Sequence, residues 1–225
     1  MKFKYRKTML IGCFAMMFIG MITMTVGKTG NSDTDEKFKK ELNRAKTQEL
    51  QKDEYPKIND LIEKYLKAEV NGDLDELSLY VNDIDKYSYG ELNKKLAYVE
   101  YFDNVSCYTI DGYEEDSYVV YVYREYKLKN IDTLIPSVVL NYVCKNSSGE
   151  YVVYTGEVSK ETNDFISATE ENPSVLDLID MVNSKIESIK KKDDDVKDLM
   201  EQLDLVVVNV ESGDYETPQN AKKNE

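Results

Sequence analysis

The hydrophobic pattern of this chain changes from a helical to a strand period near residue 104, and this change constrains the fold more than any other feature. Before it, apolar residues recur every three or four positions, as on one face of a helix. After it, Val- and Tyr-rich segments alternate at period two, as in strands. Asp111-Gly112 and Ser147-Ser-Gly149 are short turn sequences, which favour an antiparallel meander. The predicted class is therefore α+β, with helices first and then strands at 105–111, 117–127, 137–145 and 150–156.

Three helices of the main domain are predicted before its strands. The first has one apolar stripe, formed by Ile58, Leu61, Ile62, Tyr65 and Leu66. Asn71-Gly72 ends it, because glycine tolerates the left-handed conformation that follows a helix. The capping box Asp73-Leu-Asp-Glu76 then opens a short second helix, to about residue 81. A third helix is predicted over residues 91–102, with Leu92, Leu96 and Val99 facing inward.

The N-terminal region contains an uncharged stretch of 20 residues, from Thr8 to Gly27. A helix of this length spans about 30 Å, the thickness of the hydrocarbon core of a bilayer. Four cations precede the stretch and favour a cytoplasmic N-terminus. We therefore expect residues 1–27 to form a cytoplasmic tip and a single-pass signal-anchor that contacts the lipid bilayer through residues 8–27, leaving residues 28–225 extracellular. The alternatives are a signal peptide cleaved after Gly27 and a lipoprotein modified at Cys13.

Residues 28–54 are rich in charge and are predicted to form a helical stalk, with a thin apolar stripe at Phe38, Leu42, Ala45 and Leu50. Two interpretations remain open for this segment: a solvated stalk, or a helix that associates weakly with a second copy. The main domain is predicted over residues 55–170.

Residues 171–204 are predicted to form a long C-terminal amphipathic helix. Its apolar positions are spaced alternately four and three apart, beginning with Val175, Ile179 and Val182. This pattern favours a helix packed on its own domain, or a helical hairpin broken near residues 192–195; an intermolecular coiled coil is the alternative. Residues 205–225 are predicted to be a short apolar, β-prone segment followed by a disordered tail.

The composition excludes several kinds of site. The chain has no histidine, which removes Ser–His and Cys–His nucleophiles and histidine-ligated zinc. Its net charge of −14 argues against nucleic-acid binding, which needs a basic surface. Cys107 and Cys144 fall on strands separated by a third strand, so they are about 9–10 Å apart at the usual strand spacing. This distance exceeds the reach of a disulfide, and both thiols are predicted to be free.

The helical unit 58–73, the short helix at 77–81 and the four strands from 105 to 156 together resemble the NTF2-like superfamily. The resemblance implies a cystatin-like α+β cone, in which three helices pack on a curved four-stranded meander. With its anchor and trailing helix, the whole layout resembles single-pass surface proteins of Gram-positive Clostridia, and is similar to assembly components of conjugation and secretion channels. Enzymes of the superfamily place an Asp or an Asp–His pair inside the cone. Because histidine is absent here, only a lone carboxylate assisted by a tyrosine remains possible.

The acidic residues give no catalytic or metal site, because caps and turns account for their clusters. Asp83-x-Asp85 begins like a calcium loop, but Tyr87, Ser88 and Lys94 stand where a third oxygen ligand, a glycine and the closing glutamate are needed. We therefore predict no catalytic residue, no metal and no cofactor.

The tyrosines are the unusual feature of the strands. Tyr118 and Tyr126 point to one face of their strand and Tyr121 and Tyr123 to the other, because side chains alternate. With Tyr142 on the next strand, they form a predicted ligand or partner surface. The simpler interpretation is that tyrosine has a high strand propensity.

The sheet lacks an obvious solvated face, since Tyr and Val occupy both sides of the segment 117–127. We therefore expect the outer face to be covered, either by the helix beginning near Val175 or by a second copy in a sheet-to-sheet homodimer.

These observations predict a membrane-anchored extracellular binding or assembly module without catalytic activity. The alternatives are an extracellular receptor that holds a small ligand in the cone, and an NTF2-like enzyme with a lone buried carboxylate.

Overall fold

The computed structural model describes residues 32–87 and 98–201. These residues form an α+β domain whose five-stranded antiparallel sheet has the order β1-β2-β3-β4-β5. The elements are α1 Ser32–Thr47, β1 Gln51–Lys52, α2 Pro56–Asn71, α3 Leu74–Leu77, a 3-10 turn Ile84–Lys86, β2 Val99–Asp111, β3 Tyr118–Leu128, β4 Ile135–Lys145, β5 Tyr151–Val153, α4 Lys160–Thr169, α5 Pro173–Lys190 and α6 194–201. The predicted class and the meander are confirmed.

Helix α2 covers one face of the sheet through its predicted apolar stripe. Its buried residues pack on β2, β3 and β4 in one cluster that includes Cys107, Val120, Val122 and Val143. Gly72 has φ 66° and follows the helix in the left-handed conformation, as predicted from Asn71-Gly72. The Asp73 carboxylate then accepts a hydrogen bond from the Glu76 amide at 2.9 Å and caps α3.

The other face of the sheet is covered by α1, α4 and the first half of α5. Phe165 and Val175 are fully buried against Ile110, Val119 and Tyr121. The expected cover of the outer face is therefore present and comes from the chain itself. Helices α1 and α4 contribute to this cover, in addition to α5, the helix that begins near Val175.

Helix α1 corrects the prediction of a solvated stalk over residues 28–54. Ala45 is completely buried, and Leu42 and Leu50 pack against the same cluster as Phe165. The Asn172 side-chain amide fixes the end of the helix by donating to the backbone oxygens of Ala45 at 3.0 Å and Gln48 at 2.7 Å. Residues 51–52 then pair with β2 as an edge strand, so this segment belongs to the domain.

The third predicted helix, over residues 91–102, is also corrected. Residues 99–102 belong to β2, where Val99 pairs with Leu128 and Phe102 pairs with Tyr126. The remainder of that prediction, residues 91–97, lies outside the described residues.

The C-terminal helix breaks where the sequence indicated. Helix α5 ends at Lys190 and α6 begins after Asp193, whose carboxylate accepts from the amides of Asp195 and Val196. The Thr133 hydroxyl donates to the same carboxylate at 2.5 Å. Val196 and Leu199 are buried beside β3, so this region packs on its own domain.

No helix among residues 32–87 and 98–201 is long and apolar enough to cross a membrane. The predicted anchor 8–27 and the predicted segment 205–225 both lie outside the described residues.

The two cysteines of the domain are free, as predicted. Cys107 on β2 packs towards α2, whereas Cys144 on β4 packs towards the opposite face, with β3 between them.

We expect both thiols to react with a thiol reagent when the full-length chain is denatured without a reductant. In the folded protein at about pH 8, Cys144 should react before Cys107, because only the thiolate is nucleophilic. Burial raises the pKa of Cys107 to about 12, and Cys107 is 2% exposed, whereas Cys144 is half-buried. Raising the pH should therefore speed labelling of Cys107. Peptide mapping by mass spectrometry measures each site, and a requirement for reductant in the denatured chain would contradict the strand order.

A candidate binding groove beside strand β2

The five tyrosines of the predicted ligand or partner surface do not lie on one exposed surface. Tyr126 is 1% exposed and packs with Phe102, while Tyr118 is half-buried on the same face of the sheet. Tyr121, Tyr123 and Tyr142 point to the opposite face, and each is less than 9% exposed. The predicted alternation of faces is correct, but the chain's own helices cover both sets.

The hydroxyls of these buried tyrosines have partners within the domain. Tyr121 shares a hydrogen bond of 2.6 Å with Thr169 on α4, and burial raises its pKa to about 12. The Tyr142 hydroxyl donates to the Glu114 carboxylate. The Tyr123 hydroxyl donates to Glu125 and accepts from Lys185 on α5 at 2.8 Å. These contacts tie the sheet to its covering helices, which is a structural role.

An open groove of about 450 Å³ lies between α2 and the first half of β2. Its apolar floor is supplied by Leu66 and Val70 from α2 and by Phe102 and Val105 from β2. Tyr101 lines the groove and is 47% exposed, so its ring is accessible to a partner. The groove thus combines apolar surface with an accessible aromatic ring.

The groove is open because β1 ends early. Strand β1 pairs with β2 only at Tyr108 and Thr109. Asp53, at φ 55°, then closes the pairing, since its amide donates to the Cys107 oxygen at 2.8 Å and its carboxylate accepts from the Cys107 amide at 2.7 Å. The chain next turns into α2. In the described ranges, no strand pairs with residues 99–105 on this side.

Two irregularities shape this edge of the sheet. The register between β2 and β3 shifts between Val99 and Tyr101, and again between Asp103 and Ser106. Asn104 lies in the second shift at φ 50°, a conformation that asparagine tolerates better than most residues. Such bulges bend a strand and re-aim its side chains, and they are frequent beside functional sites.

The rim of the groove carries more acid than base. Glu63, Glu100 and Asp103 face one cation, Lys67, and all four side chains are exposed. Lys127 approaches Glu100 to 3.5 Å and compensates part of its charge. The rim therefore stays negative, in a chain whose net charge is −14.

Behind the floor lies a buried ion pair. Arg124 is 6% exposed, its guanidinium stacks 4.2 Å from the centre of the Phe102 ring, and it lies 3.5 Å from the Glu69 carboxylate. It also donates to the Tyr126 hydroxyl at 2.6 Å. Its Nε has no hydrogen-bond partner among the described residues. Burial lowers the pKa of Arg124, but Tyr126, Glu69 and Tyr65 together raise it above its usual value, so the guanidinium stays charged.

Beside this pair, the hydroxyls of Tyr65 and Tyr87 share a hydrogen bond of 2.9 Å. Burial, followed by the Glu69 charge, holds the pKa of Tyr65 well above its usual value. The Tyr65 hydroxyl therefore remains protonated and neutral.

Sequence reasoning missed the groove because residues 99–102 matched a helical stripe. Two signals pointed to it: Val99-Glu-Tyr-Phe continues the β-prone composition of residues 105–111, and Asn104 marks a left-handed position inside a strand.

The acidic clusters have the structural roles expected of them. Asp73, Asp83 and Asp193 each accept a backbone amide at the start of a helix or helical turn. In the part of the chain that the structure describes, no three acidic or cysteine side chains form a group that could hold a metal ion.

No protein-family model, curated protein or solved structure matches this chain. The function is therefore inferred from the geometry of the groove and from the sequence.

Proposed function

We propose that this protein is a membrane-anchored, extracellular binding module without catalytic activity, and that the groove beside β2 is its binding surface. The observation that carries the proposal is the edge of β2 along residues 99–105, which no strand of the described ranges pairs with, next to an apolar floor and the exposed ring of Tyr101. A sheet edge of this kind offers backbone donors and acceptors to a partner.

The placement of the carboxylates supports a non-catalytic role. In enzymes that use a lone carboxyl group as a general acid, this group is buried in an apolar pocket. In the groove, Glu63, Glu100 and Asp103 are exposed instead. Glu69 reaches the interior but lies 3.5 Å from Arg124, so its charge is already engaged.

The uncharged stretch 8–27 supports the membrane anchor of the proposal. The order of α2, Asn71-Gly72-Asp73, α3 and the following meander supports a relation to NTF2-like domains. In this proposal the anchor tethers the domain close to the membrane, where the groove meets a protein partner.

The test is site-specific photo-crosslinking with the full-length protein in the cells that produce it. A photo-reactive phenylalanine analogue replaces Tyr101 in one variant and Leu79 in a control variant, because Leu79 is 68% exposed and lies outside the groove. We expect adducts in the membrane fraction from the Tyr101 variant and none from the Leu79 variant.

Two outcomes would contradict the proposal. Equal adducts at both positions, or none at Tyr101, would exclude the groove as the binding surface. A mature chain that begins near Lys28 and leaves the membrane fraction would exclude the anchor.

A further inference from the structure

We infer that the partner in the groove is an extended, apolar and basic peptide segment of another protein, which adds to the edge of β2 along residues 99–105. This inference rests on the proposed function and specifies the chemistry of its partner.

The backbone of β2 supports an extended partner. Residues 99–105 span about 23 Å at the rise of a strand, which is long enough for several cross-strand contacts. The register shifts at Glu100 and at Asn104 leave Tyr101, Phe102 and Asp103 as the regular stretch between them. A partner therefore pairs over a short stretch only, and the rest of the affinity comes from side chains.

The floor of the groove supports apolar side chains in the partner. In an added strand, alternate side chains point to the α2 side of the sheet. There they would meet Leu66, Val70 and Phe102, three apolar residues that line the groove.

The rim supports basic side chains at the remaining positions. Glu63 and Asp103 lie on the rim with one lysine, Lys67, while Glu100 is partly compensated by Lys127. The chain as a whole carries −14, so its long-range field also attracts a basic segment and repels an acidic one. A second copy of this acidic chain is disfavoured for the same reason.

The experiment measures binding of synthetic peptides to the full-length protein in detergent, by fluorescence anisotropy. The probe is a labelled decapeptide of alternating valine and lysine, and its matched control has glutamate in place of lysine. We expect binding of the lysine peptide and none of the glutamate peptide.

N-methylation of the peptide backbone tests strand addition without altering the protein. A strand directs alternate amides to its two edges, and only one edge can pair with β2. Methyl groups on one set of alternate amides should abolish binding, while methyl groups on the other set should leave it unchanged. An equal effect of the two sets would overturn strand addition.

Substitutions on the rim test whether its negative charges contribute to binding of the lysine peptide. Glu63→Gln and Asp103→Asn should each weaken binding of the lysine peptide by about two- to five-fold, as expected for exposed charge pairs. Lys67→Gln should strengthen it, and Asp180→Asn on α5, which removes the same charge far from the groove, should leave it unchanged. An Asp180→Asn effect equal to that of Glu63→Gln would show attraction to net charge alone and overturn the inference.

The inference can fail separately from the proposed function. Adducts at Tyr101 together with no binding of the lysine peptide, or with equal binding of the glutamate peptide, would leave the groove as a binding surface and overturn the chemistry assigned to its partner. A Tyr101 adduct that maps to residues 202–225 of the same chain would show that the protein's own segment occupies the groove. The absence of any Tyr101 adduct would contradict the proposed function itself.

Discussion

Replacement of Glu69 by leucine is expected to lower the free energy of unfolding by about 3–5 kcal/mol, the usual result of leaving one partner of a buried ion pair uncompensated. Arg124 is 6% exposed, and Glu69 is its carboxylate partner at 3.5 Å. The other contacts of the guanidinium, with the Tyr126 hydroxyl and the rings of Phe102 and Tyr126, carry no opposite charge, and its Nε has no hydrogen-bond partner in the described ranges. Urea unfolding of the full-length protein, followed by circular dichroism, measures the change.

The matched control is the double variant Glu69→Leu, Arg124→Met. It removes both charges and keeps a long side chain against Phe102 and Tyr126, the two rings that flank the guanidinium at 4.2 and 4.9 Å. We expect the double variant to be more stable than Glu69→Leu alone, because replacing a whole buried pair by apolar groups is often near neutral. If Glu69→Leu costs less than about 1 kcal/mol, as exposed pairs do, then water reaches Arg124 and the pair is not buried.

The Phe102 ring separates the guanidinium of this pair from the groove. Phe102 forms part of the floor and stacks on Arg124, so the guanidinium lies behind the aromatic ring. In the proposed complex, a bound segment would therefore meet Phe102 and the rim carboxylates rather than Arg124. This arrangement explains why a negative rim and a buried cation coexist within one region of the sheet.

Local patterns predicted the parts of the fold that depend on neighbouring residues. The α2 stripe, Gly72 after the helix and the opposite faces of Tyr121 and Tyr126 each follow from the period of a helix or a strand. The free state of Cys107 followed from strand order alone.

The parts that sequence reasoning missed depend on contacts between distant segments. Ala45 is small and sits in a highly charged helix, and nothing near it indicates that Asn172, 127 residues later, binds its carbonyl. The groove likewise exists because β1 stops at Lys52 and Asp53 turns the chain away from β2. The contact of Asn172 and the end of β1 at Lys52 both depend on where another segment of the chain is placed, whereas the local signals near residues 99–104 indicate only the strand itself.

The structure also changes the interpretation of the tyrosine-rich strand β3. A high density of Tyr121, Tyr123 and Tyr126 on one strand suggested a surface, but helices on both faces bury these rings. Tyr101 was not singled out, although it is the tyrosine that lines the groove and stays 47% exposed. Exposure is set by the layers that cover a sheet, whereas local composition records only strand propensity.

Helix α5 gives the second large expected effect, because its buried face differs from the stripe that the sequence suggested. The spacing of four and three predicted Val175, Ile179 and Val182 on the inner face. In the structure Val175, Leu178 and Val182 are buried, while Ile179 is 38% exposed. Spacings of three then four also follow one face of a helix, so both sets fit the same period and only packing decides between them.

Replacement of Leu178 by alanine is therefore expected to lower the free energy of unfolding by about 2–5 kcal/mol, the range for deleting a buried leucine side chain. Leu178 is 5% exposed and packs in the cluster that joins α1, α4 and α5 to the outer face of the sheet. The replacement would leave a cavity against that face. Urea unfolding of the full-length protein measures the cost.

Ile179→Ala is the matched control, at the adjacent position of the same helix. It should change the free energy of unfolding by less than about 0.5 kcal/mol, since its side chain is partly in solvent and alanine is the better helix former. The two variants differ only in the face of α5 from which the side chain is removed. A large cost at Ile179 with a small cost at Leu178 would mean that the helix packs on the sheet through the heptad-like stripe. In that case Ile179, and not Leu178, would pack against Tyr121 and the outer face of the sheet.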